Sequence, residues 1–324
     1  MRAIVSKQPG PPETLEIVDL DEPTAGAGEV VIKIDCAALN FFDTLIIEDK
    51  YQFKPERPFA PGAEFAGHVH SVGSGVTGFE PGDRVMAYSG WDACREMIAV
   101  AANQVVPIPD DISFEAAAGL TVTYGTTIHG LRDRAHMKPG ETLAVLGAAG
   151  GVGQAAVEIG KAMGAKVIAC ASSEEKLAFC RNLGADETIN YSDVSLKDAL
   201  KEVTGGKGVD VVYDPVGGDL AEEAVRGTGW EGSFLVIGFA SGTIPKIPLN
   251  LALLKGCSLV GVFWGSFLKR TPEHHTTNMA MILNWVKEGK IKPHIDSTYS
   301  LEDVPKALKA LAERKVMGKV IVKP

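Results

Sequence analysis

The feature that most limits how this chain can fold is a glycine-rich turn between two apolar runs, LAVLGAAGGVGQAAVEIGKAMGAKVIAC at residues 143–170. The first run ends at Gly147, a turn with glycines at 150, 151 and 153 follows, and a helical stretch begins directly after it. Glycine lets the backbone approach a pyrophosphate, which then lies at a helix N-terminus with free N–H donors. Strand, turn, helix and second strand within about 30 residues form the context that a dinucleotide site requires.

The rest of the chain divides into a β-rich part and an α/β part. Up to about residue 110, short β-branched runs separated by Pro and Gly turns predict a small β domain. From about 141 to 265, apolar runs alternate with helical patterns, which predicts a parallel sheet covered by helices. We expect the C-terminal stretch to rejoin the β domain. The predicted domains are therefore 1–122 together with 266–324, and 123–265.

The end of the second apolar strand bears on the cofactor, because an acid there binds a ribose 2′-hydroxyl and repels a 2′-phosphate. The strand KVIACA is followed by Ser172 without an acid, Lys176 lies one helical turn further, and Tyr191 ends the next strand. Hydroxyls and an ammonium suit a phosphate, so these residues favour NADPH. The alternative is that Ser172 caps a helix and Lys176 is solvated, and the acids Glu174 and Glu175 count in its favour.

Three further loops follow apolar strands: DPVGGD at 214–219, IGFASG at 237–242 and GVFWG at 261–265. In an open parallel sheet, ligands lie over the carboxyl ends of the strands. We therefore expect these loops to line the nicotinamide half of the site, the first of them through Val216. Each loop is also compatible with a simple tight turn.

Composition and charge argue against several classes of partner. The formal net charge of −9 opposes a large electropositive face, so we expect no nucleic acid partner. No apolar run reaches the roughly 20 residues of a membrane span, and the N-terminus has no signal-peptide pattern. The five cysteines lack the paired spacing of a metal lobe or redox couple, which predicts buried thiols in a reducing cytoplasm. Import into an organelle after loss of a transit peptide stays open.

Several motifs occur in one order along the chain: NFFDTLIIEDKYQFKPERPFAPGAEFAGHVHSVGSGV (40–76), TVTYGT (121–126), GAAGGVGQAAVEIGKAMGAKVI (147–168), GADETINY (184–191) and MGKVIV (317–322). Together they resemble the medium-chain dehydrogenase/reductase superfamily over nearly the whole chain. Within it, the chain resembles the zinc-free quinone oxidoreductases, the group that includes zeta-crystallin. The resemblance implies a GroES-like β domain and a Rossmann domain with a doubly wound parallel sheet.

The resemblance also implies roles for individual residues. It places Asn40, Tyr51 and Thr127 near the nicotinamide, and Gly150, Gly151 and Val152 on the pyrophosphate. It places Ser172, Lys176 and Tyr191 on the 2′-phosphate, and Phe239, Phe263 and Lys319 over the cofactor. Homodimers or tetramers that pair the edge strands of the Rossmann sheets are expected, with 258–262 as the edge strand here.

The departures from the zinc branch of this superfamily are equally informative. Asn40 stands where that branch has a cysteine ligand and Ala63 where it has a histidine, so two of its three protein ligands are absent. Imidazole nitrogen binds zinc and a methyl group does not, so we expect no metal. The role of the neighbouring Glu64 stays open between pairing with Arg57 and holding the turn after Pro61.

Without a metal, reduction is easier than alcohol oxidation, which needs a Lewis acid or a base to remove the hydroxyl proton. A quinone or conjugated carbonyl accepts hydride from NADPH directly, because charge develops on an oxygen that hydrogen bonds stabilise. Tyr51 is the candidate donor to that oxygen, and Asn40 the candidate positioner of nicotinamide or substrate. An aromatic that only lines the cleft and a turn-stabilising amide are the structural alternatives.

These residues lead to an NADPH-dependent reductase of quinones or related conjugated carbonyls as the expected function. One alternative is a reductase of alkenals, enones or enoyl thioesters such as acyl-CoA, for which Lys50, Lys54 and Arg57 lie near Tyr51 in the sequence. A second alternative is a non-catalytic NADPH-binding sensor or crystallin-like protein.

Overall fold

The computed structural model describes all 324 residues, which form two compact units. The first unit comprises Met1–Val122, Pro272–Lys287 and Lys292–Pro324, and the second comprises Thr123–Thr271 and Glu288–Ile291. The chain returns to the first unit at Pro272 rather than at 266, because the helix Trp264–Arg270 belongs to the second unit.

The β-strands, in chain order, are β1 (Arg2–Val5), β2 (Glu16–Asp19), β3 (Glu29–Leu39), β4 (Glu64–Val72), β5 (Arg84–Tyr88), β6 (Met97–Ala101), β7 (Val105–Pro107), β8 (Thr142–Leu146), β9 (Lys166–Ala171), β10 (Glu187–Asn190), β11 (Val209–Asp214), β12 (Thr228–Val236), β13 (Ser258–Gly261), β14 (Ile295–Ser300) and β15 (Lys319–Lys323). The α-helices are α1 (Phe41–Ile46), α2 (Phe114–Ala118), α3 (Thr123–Ile128), α4 (Gly151–Ala162), α5 (Glu174–Asn182), α6 (Leu196–Val203), α7 (Asp219–Gly227), α8 (Leu249–Lys255), α9 (Trp264–Arg270), α10 (Pro272–Lys287) and α11 (Val304–Ala312). A π-helix at His129–Arg134 continues α3. No helix is long and apolar enough to cross a bilayer.

The first unit is built on a seven-stranded sheet in the order β14-β15-β3-β4-β5-β7, with β6 paired to β3. Every pair in it is antiparallel except β14 with β15. β3 bonds to β15, β4 and β6, and its alternate side chains enter a core that includes Val30, Ile32 and Ile34. This arrangement brings the end of β3 next to the start of β4 and the start of β15.

The second unit contains a six-stranded parallel sheet in the order β10-β9-β8-β11-β12-β13. Counted from β8, this is the doubly wound Rossmann order. The strand LAVL at 143–146 is fully buried, as a strand that is covered on both faces must be. The predicted fold class is confirmed. All five cysteines are free and buried, as the sequence predicts.

Candidate active site

The glycine turn at 147–150 has no room for a side chain at Gly153. α4 begins at Gly151, directly after the turn. A Cβ on Gly153 would lie 2.2 Å from the Gly147 carbonyl oxygen and 2.7 Å from backbone atoms of Ala148. Since no Cβ tolerates such distances, glycine is required for the helix to pack this closely on the turn.

The first turn of α4 carries backbone donors without protein acceptors. The N–H groups of Gly151 and Val152 bond to no protein atom, whereas the N–H of Gln154 donates to the Gly150 carbonyl over 2.7 Å. The aligned peptides of a twelve-residue helix add a partial positive charge at this end. Free N–H donors and this charge fit a pyrophosphate, the group that the sequence places here.

Ser172 and Tyr191 follow adjacent parallel strands, and Lys176 lies in the first turn of α5. The backbone N–H of Tyr191 donates to the carbonyl of Ala171, the last residue of β9, over 3.2 Å. Ser173 caps α5 by accepting the Lys176 N–H over 3.4 Å. The interpretation of Ser172 as the helix cap is therefore wrong, and its exposed side chain is not used in that role.

Glu174 lies at the start of α5, where its charge would oppose a phosphate. It pairs with Arg181 of the same helix, and Arg181 also donates to the Thr188 hydroxyl over 3.1 Å. An exposed ion pair of this kind is weak, but it places a positive charge beside the acid. Glu174 is thus a smaller obstacle to a phosphate than the sequence alone indicates.

Asp214 fixes the loop after β11 by hydrogen bonds to the loop's own backbone, a role that sequence reasoning missed. Its buried carboxylate accepts the N–H groups of Val216 over 2.8 Å and Gly217 over 2.9 Å. The Ser241 N–H donates to the Val216 carbonyl, and Phe239 packs against Gly217. The two predicted loops therefore form one bonded structure. An acid directly before a turn that bonds its own following backbone was the available signal.

Phe263 precedes α9 and follows the edge strand β13. Its side chain is 51% exposed, which is unusual for an aromatic residue of this size. Exposure at the carboxyl end of the sheet agrees with the predicted contact with the cofactor, which stays a prediction.

Thr127 and Tyr124 are fully buried, and their hydroxyls take part in hydrogen-bonded clusters of the second unit. The Thr127 hydroxyl lies 2.9 Å from the hydroxyl of Tyr213. The Tyr124 hydroxyl bonds Glu158 and accepts from Gln154 over 3.0 Å, two residues that sequence reasoning missed because neither lies in a recognisable pattern. The proximity of Thr127 to the nicotinamide stays a prediction.

In the first unit, the Asp43 side chain connects the start of α1 to Gly62 by hydrogen bonds. Its carboxylate accepts the Asn40 N–H over 2.7 Å and the Gly62 N–H over 3.0 Å. Burial raises the pKa of Asp43 to about 7, although both backbone bonds act in the opposite direction. Asp43 therefore positions Asn40 from the third residue of the helix, as in a capping box.

Asn40, Glu64 and Lys319 form a buried network, which we call the central triad. The Lys319 Nζ donates to Asn40 Oδ1 over 2.8 Å, to Glu64 Oε1 over 2.8 Å and to the Leu39 carbonyl over 3.2 Å. Asn40 Nδ2 donates to Glu64 Oε1 over 3.0 Å, and the Val122 N–H donates to Glu64 Oε2 over 2.7 Å. The Lys319 and Glu64 side chains are 2% and 0% exposed.

This network decides the role of Glu64. Glu64 pairs with Lys319, and Arg57 pairs instead with Asp49 over 2.9 Å. Of the two roles that the sequence leaves open for Glu64, the pair with Arg57 is therefore wrong. The three bonds of the Lys319 ammonium all go to acceptors in the first unit. The contact of Lys319 with the cofactor stays a prediction.

The residues at this position do not fit a zinc ion. Ala63 offers a methyl group, and both oxygens of Glu64 already accept hydrogen bonds. The ammonium of Lys319 contacts both polar side chains of the triad and would repel a metal cation. In the structure, no three His, Cys, Asp or Glu side chains are grouped to hold a metal.

Tyr51 follows α1 and stacks on Phe42, with ring centroids 5.2 Å apart. The side chain is half-buried. Burial, and then the charge of Asp43, raise the pKa of Tyr51. The hydroxyl therefore stays protonated at neutral pH and is able to donate a hydrogen bond.

Comparison with known proteins is consistent with both halves of this architecture. Residues 26–127 match the alcohol dehydrogenase GroES-like domain, and residues 151–283 match the zinc-binding dehydrogenase family. The chain is 38% identical to the quinone oxidoreductase-like protein 2 homolog of Nematostella vectensis, over 99% of this chain and 88% of that protein. This chain belongs to the quinone oxidoreductase branch of the medium-chain dehydrogenase/reductase superfamily.

Other members of the branch agree with this assignment. The quinone oxidoreductase of Pseudomonas aeruginosa is 35% identical over 97% of both chains. The structure of Escherichia coli quinone oxidoreductase complexed with NADPH superposes with a TM-score of 0.92, at 31% identity over the full length of both chains. The family resemblance seen in the motifs is confirmed, and the chain is an oxidoreductase of this superfamily.

Proposed function

We propose that this protein is an NADPH-dependent reductase that transfers hydride to quinones or related conjugated carbonyls without zinc. The observation that carries the proposal is the central triad. In it, Asn40 and the side chain of Glu64, the residue next to Ala63, bond to each other and to the Lys319 ammonium. Without a Lewis acid, the acceptor must itself be strongly electrophilic. Quinones and enones meet this requirement, because charge delocalises onto an oxygen that hydrogen bonds can stabilise.

Two observations support NADPH as the cofactor. The donors of Gly151 and Val152 suit a pyrophosphate, and Ser172, Lys176 and Tyr191 provide groups for a 2′-phosphate. The E. coli relative is described as a complex with NADPH. NADPH supplies the hydride when bound, and the residues of this chain bind it, orient it and stabilise charge on the acceptor.

Lys176 is expected to contribute to the choice of NADPH over NADH. Replacing it in Lys176→Met removes a positive charge from the proposed phosphate site, so the KM for NADPH should rise about 10-fold while that for NADH stays within about 2-fold. Initial rates with both cofactors measure this. Lys197→Met is the matched control, because Lys197 lies on α6 and pairs with Asp198. Equal effects on both cofactors would contradict the assignment.

Tyr51 is expected to stabilise the oxygen of the acceptor. Tyr51→Phe keeps the stacking on Phe42 and removes only the hydroxyl, so kcat/KM for a 1,4-quinone should fall about 10- to 100-fold. The dissociation constant of NADPH, measured by fluorescence titration, should change little. Phe53 is a second aromatic neighbour of Tyr51, with ring centroids 6.1 Å apart. The control Phe53→Leu therefore tests whether a change in the aromatic residues around Tyr51 has the same effect. Unchanged turnover in Tyr51→Phe would assign Tyr51 a lining role only.

We propose quinones rather than acyl-CoA as the acceptors, and the pairing of basic residues near Tyr51 supports this choice. Lys50 pairs with Glu48 and Arg57 with Asp49, so two of the three basic residues near Tyr51 already have acidic partners. These acids offset part of the positive charge that a CoA phosphate requires, although an exposed pair such as Lys50–Glu48 is weak.

The proposed function is tested by following NADPH oxidation with 1,2- and 1,4-quinones, enals and crotonyl-CoA, each with and without a chelator. We expect turnover with quinones that the chelator does not change. Preference for crotonyl-CoA would support the thioester alternative, and tight NADPH binding without turnover on any acceptor would support a sensor. Loss of activity with the chelator would overturn zinc independence.

We further propose that the protein is a homodimer through the edge of the second unit's sheet. β13 is the edge strand, and exposed apolar side chains lie on it and on the flanking elements: Trp230, Leu249, Leu253, Leu254 and Leu259. Exposed apolar patches of this kind mark association sites, and an open edge strand can pair with a second copy.

The dimer is tested by sedimentation velocity on the wild type and on Leu253→Lys. We expect the wild type at twice the 34.3 kDa chain mass and the variant shifted to the monomer, because Leu253 is 79% exposed in the single chain. The control is Val194→Lys. Val194 is apolar and 52% exposed but is not one of the residues at the sheet edge, so this change should leave the mass of the dimer unchanged. A wild-type monomer would overturn the proposal, and a tetramer would require a second interface.

A further inference from the structure

The Asn40 amide can take only one orientation in the central triad. Its Oδ1 accepts from the Lys319 ammonium, and its Nδ2 donates to the Glu64 carboxylate. A flip of the amide would place Nδ2 against an ammonium and Oδ1 against a carboxylate oxygen. Both contacts would then be repulsive in a buried site, where electrostatic interactions are strong.

This orientation determines which chemistry the amide offers to a ligand. One N–H of Nδ2 bonds Glu64, and the second bonds to no protein acceptor. The oxygen is held by a cation. Asn40 is 7% exposed, so a small part of the residue is accessible from outside the core. What remains is a single donor with a fixed direction.

We propose that Glu64 and Lys319 are positioning residues that make Asn40 a hydrogen-bond donor, and that this donor binds a carbonyl oxygen of the nicotinamide carboxamide or of the substrate. The inference rests on the proposed reductase function and deepens it. The Asn40 Oδ1 lies against the Lys319 ammonium, whereas the second N–H of Nδ2 has no acceptor in the protein, so the group that Asn40 offers to a ligand is a donor. The Lys319 ammonium is thus a buried cation that can donate hydrogen bonds but, unlike a metal ion, is not a Lewis acid.

A purely structural role for the ion pair makes a different prediction, and a double variant separates the two roles. Lys319→Met leaves Glu64 as an unpaired buried charge, which is strongly destabilising by itself. Adding Glu64→Gln removes that charge, so the melting temperature should recover most of the loss. The glutamine amide introduced by this change can donate to Asn40 Oδ1, so the orientation of Asn40 is no longer imposed.

We therefore expect the Lys319→Met/Glu64→Gln protein to fold but to retain a kcat/KM about 10- to 100-fold below wild type, the effect of one misdirected hydrogen bond. In an Asn40→Ser background, the same double change should lower kcat/KM by less than about 3-fold, because the group that it positions is gone. Recovery of turnover together with stability, or full additivity with Asn40→Ser, would overturn the proposal.

Two measurements on Asn40→Ser distinguish the carbonyl that is bound. A raised dissociation constant for NADPH indicates the nicotinamide carboxamide, whereas an unchanged constant with reduced kcat/KM for the quinone indicates the substrate. No change in either would overturn the proposal. Lys323→Met/Glu115→Gln is the matched control, because that ion pair also joins β15 to the rest of the first unit but is partly exposed to solvent. It should leave turnover within about 2-fold of wild type.

A measurement without turnover keeps the inference separate from the proposed function. In the nitrogen-15 spectrum of the wild type, the Asn40 side-chain amide, identified by its absence in Asn40→Ser, should show one slowly exchanging proton. The double variant should lose that protection. Rapid exchange of both protons in the wild type would overturn the inference even if the enzyme is active. Absence of turnover on every acceptor would overturn the function and leave this readout intact.

Discussion

Glu64→Gln is expected to lower the free energy of unfolding by about 3–5 kcal/mol, because it leaves the Lys319 ammonium buried without a carboxylate. Both charges are nearly inaccessible to water, and the ammonium has only two other acceptors, the Leu39 carbonyl and Asn40 Oδ1. Neutral acceptors do not replace the solvation that burial removed. Urea denaturation followed by circular dichroism measures the change.

The control for this prediction is Glu115→Gln in the same unit. Glu115 pairs with Lys323 over 2.7 Å, but the two side chains are 34% and 54% exposed. Solvent screens such a pair, so the change should cost less than about 1 kcal/mol. A loss in Glu64→Gln as small as that in Glu115→Gln would mean that water reaches the central triad.

Gly153→Ala is expected to weaken NADPH binding about 100-fold or more, equivalent to about 2.7 kcal/mol. The new Cβ would lie 2.2 Å from the Gly147 carbonyl oxygen, which belongs to the backbone of the turn and cannot rotate away. The turn or the start of α4 must then move, and the N–H groups of Gly151 and Val152 lose their common direction. Fluorescence titration with NADPH measures the loss.

Gly150→Ala is the matched control within the same turn. Its Cβ would meet only the Gly147 carbonyl oxygen at 3.5 Å, an ordinary contact, and its φ of −76° suits alanine. The turn should keep its shape, so any loss of affinity in this variant measures contact with the ligand itself. An unchanged affinity for NADPH in Gly153→Ala would show that the steric account of Gly153 is wrong.

The sequence predicted the architecture well because the architecture follows from local patterns. Apolar strands alternating with helices indicated the parallel sheet, and the glycine turn lies where it was predicted, between β8 and α4. The resemblance to the zinc branch also indicated that Asn40 and Ala63 stand at two of its ligand positions, since this depends only on residue identity within a motif.

The contacts of individual polar side chains were harder to predict. The sequence leaves Glu64 open between a pair with Arg57 and a role in the turn after Pro61, and it does not indicate Lys319, which lies 255 positions away. Asp43 and Asp214 were missed as organisers of backbone turns, and Tyr124 was not connected to Glu158. Residue type shows that such a group needs a partner when it is buried, but not which partner it has.

The sequence by itself determined the fold class, the glycine turn that suits a dinucleotide phosphate, and the presence of Asn40 and Ala63 at two positions where the zinc branch has ligands, because each depends on patterns within about 30 residues. Only the tertiary structure decided what takes the place of the missing ligands. β15 pairs with β3 and β3 pairs with β4, so the ends of three strands bring Lys319, Asn40 and Glu64 together. In that buried site an ammonium and a carboxylate must satisfy each other, and the amide between them is left with one free N–H.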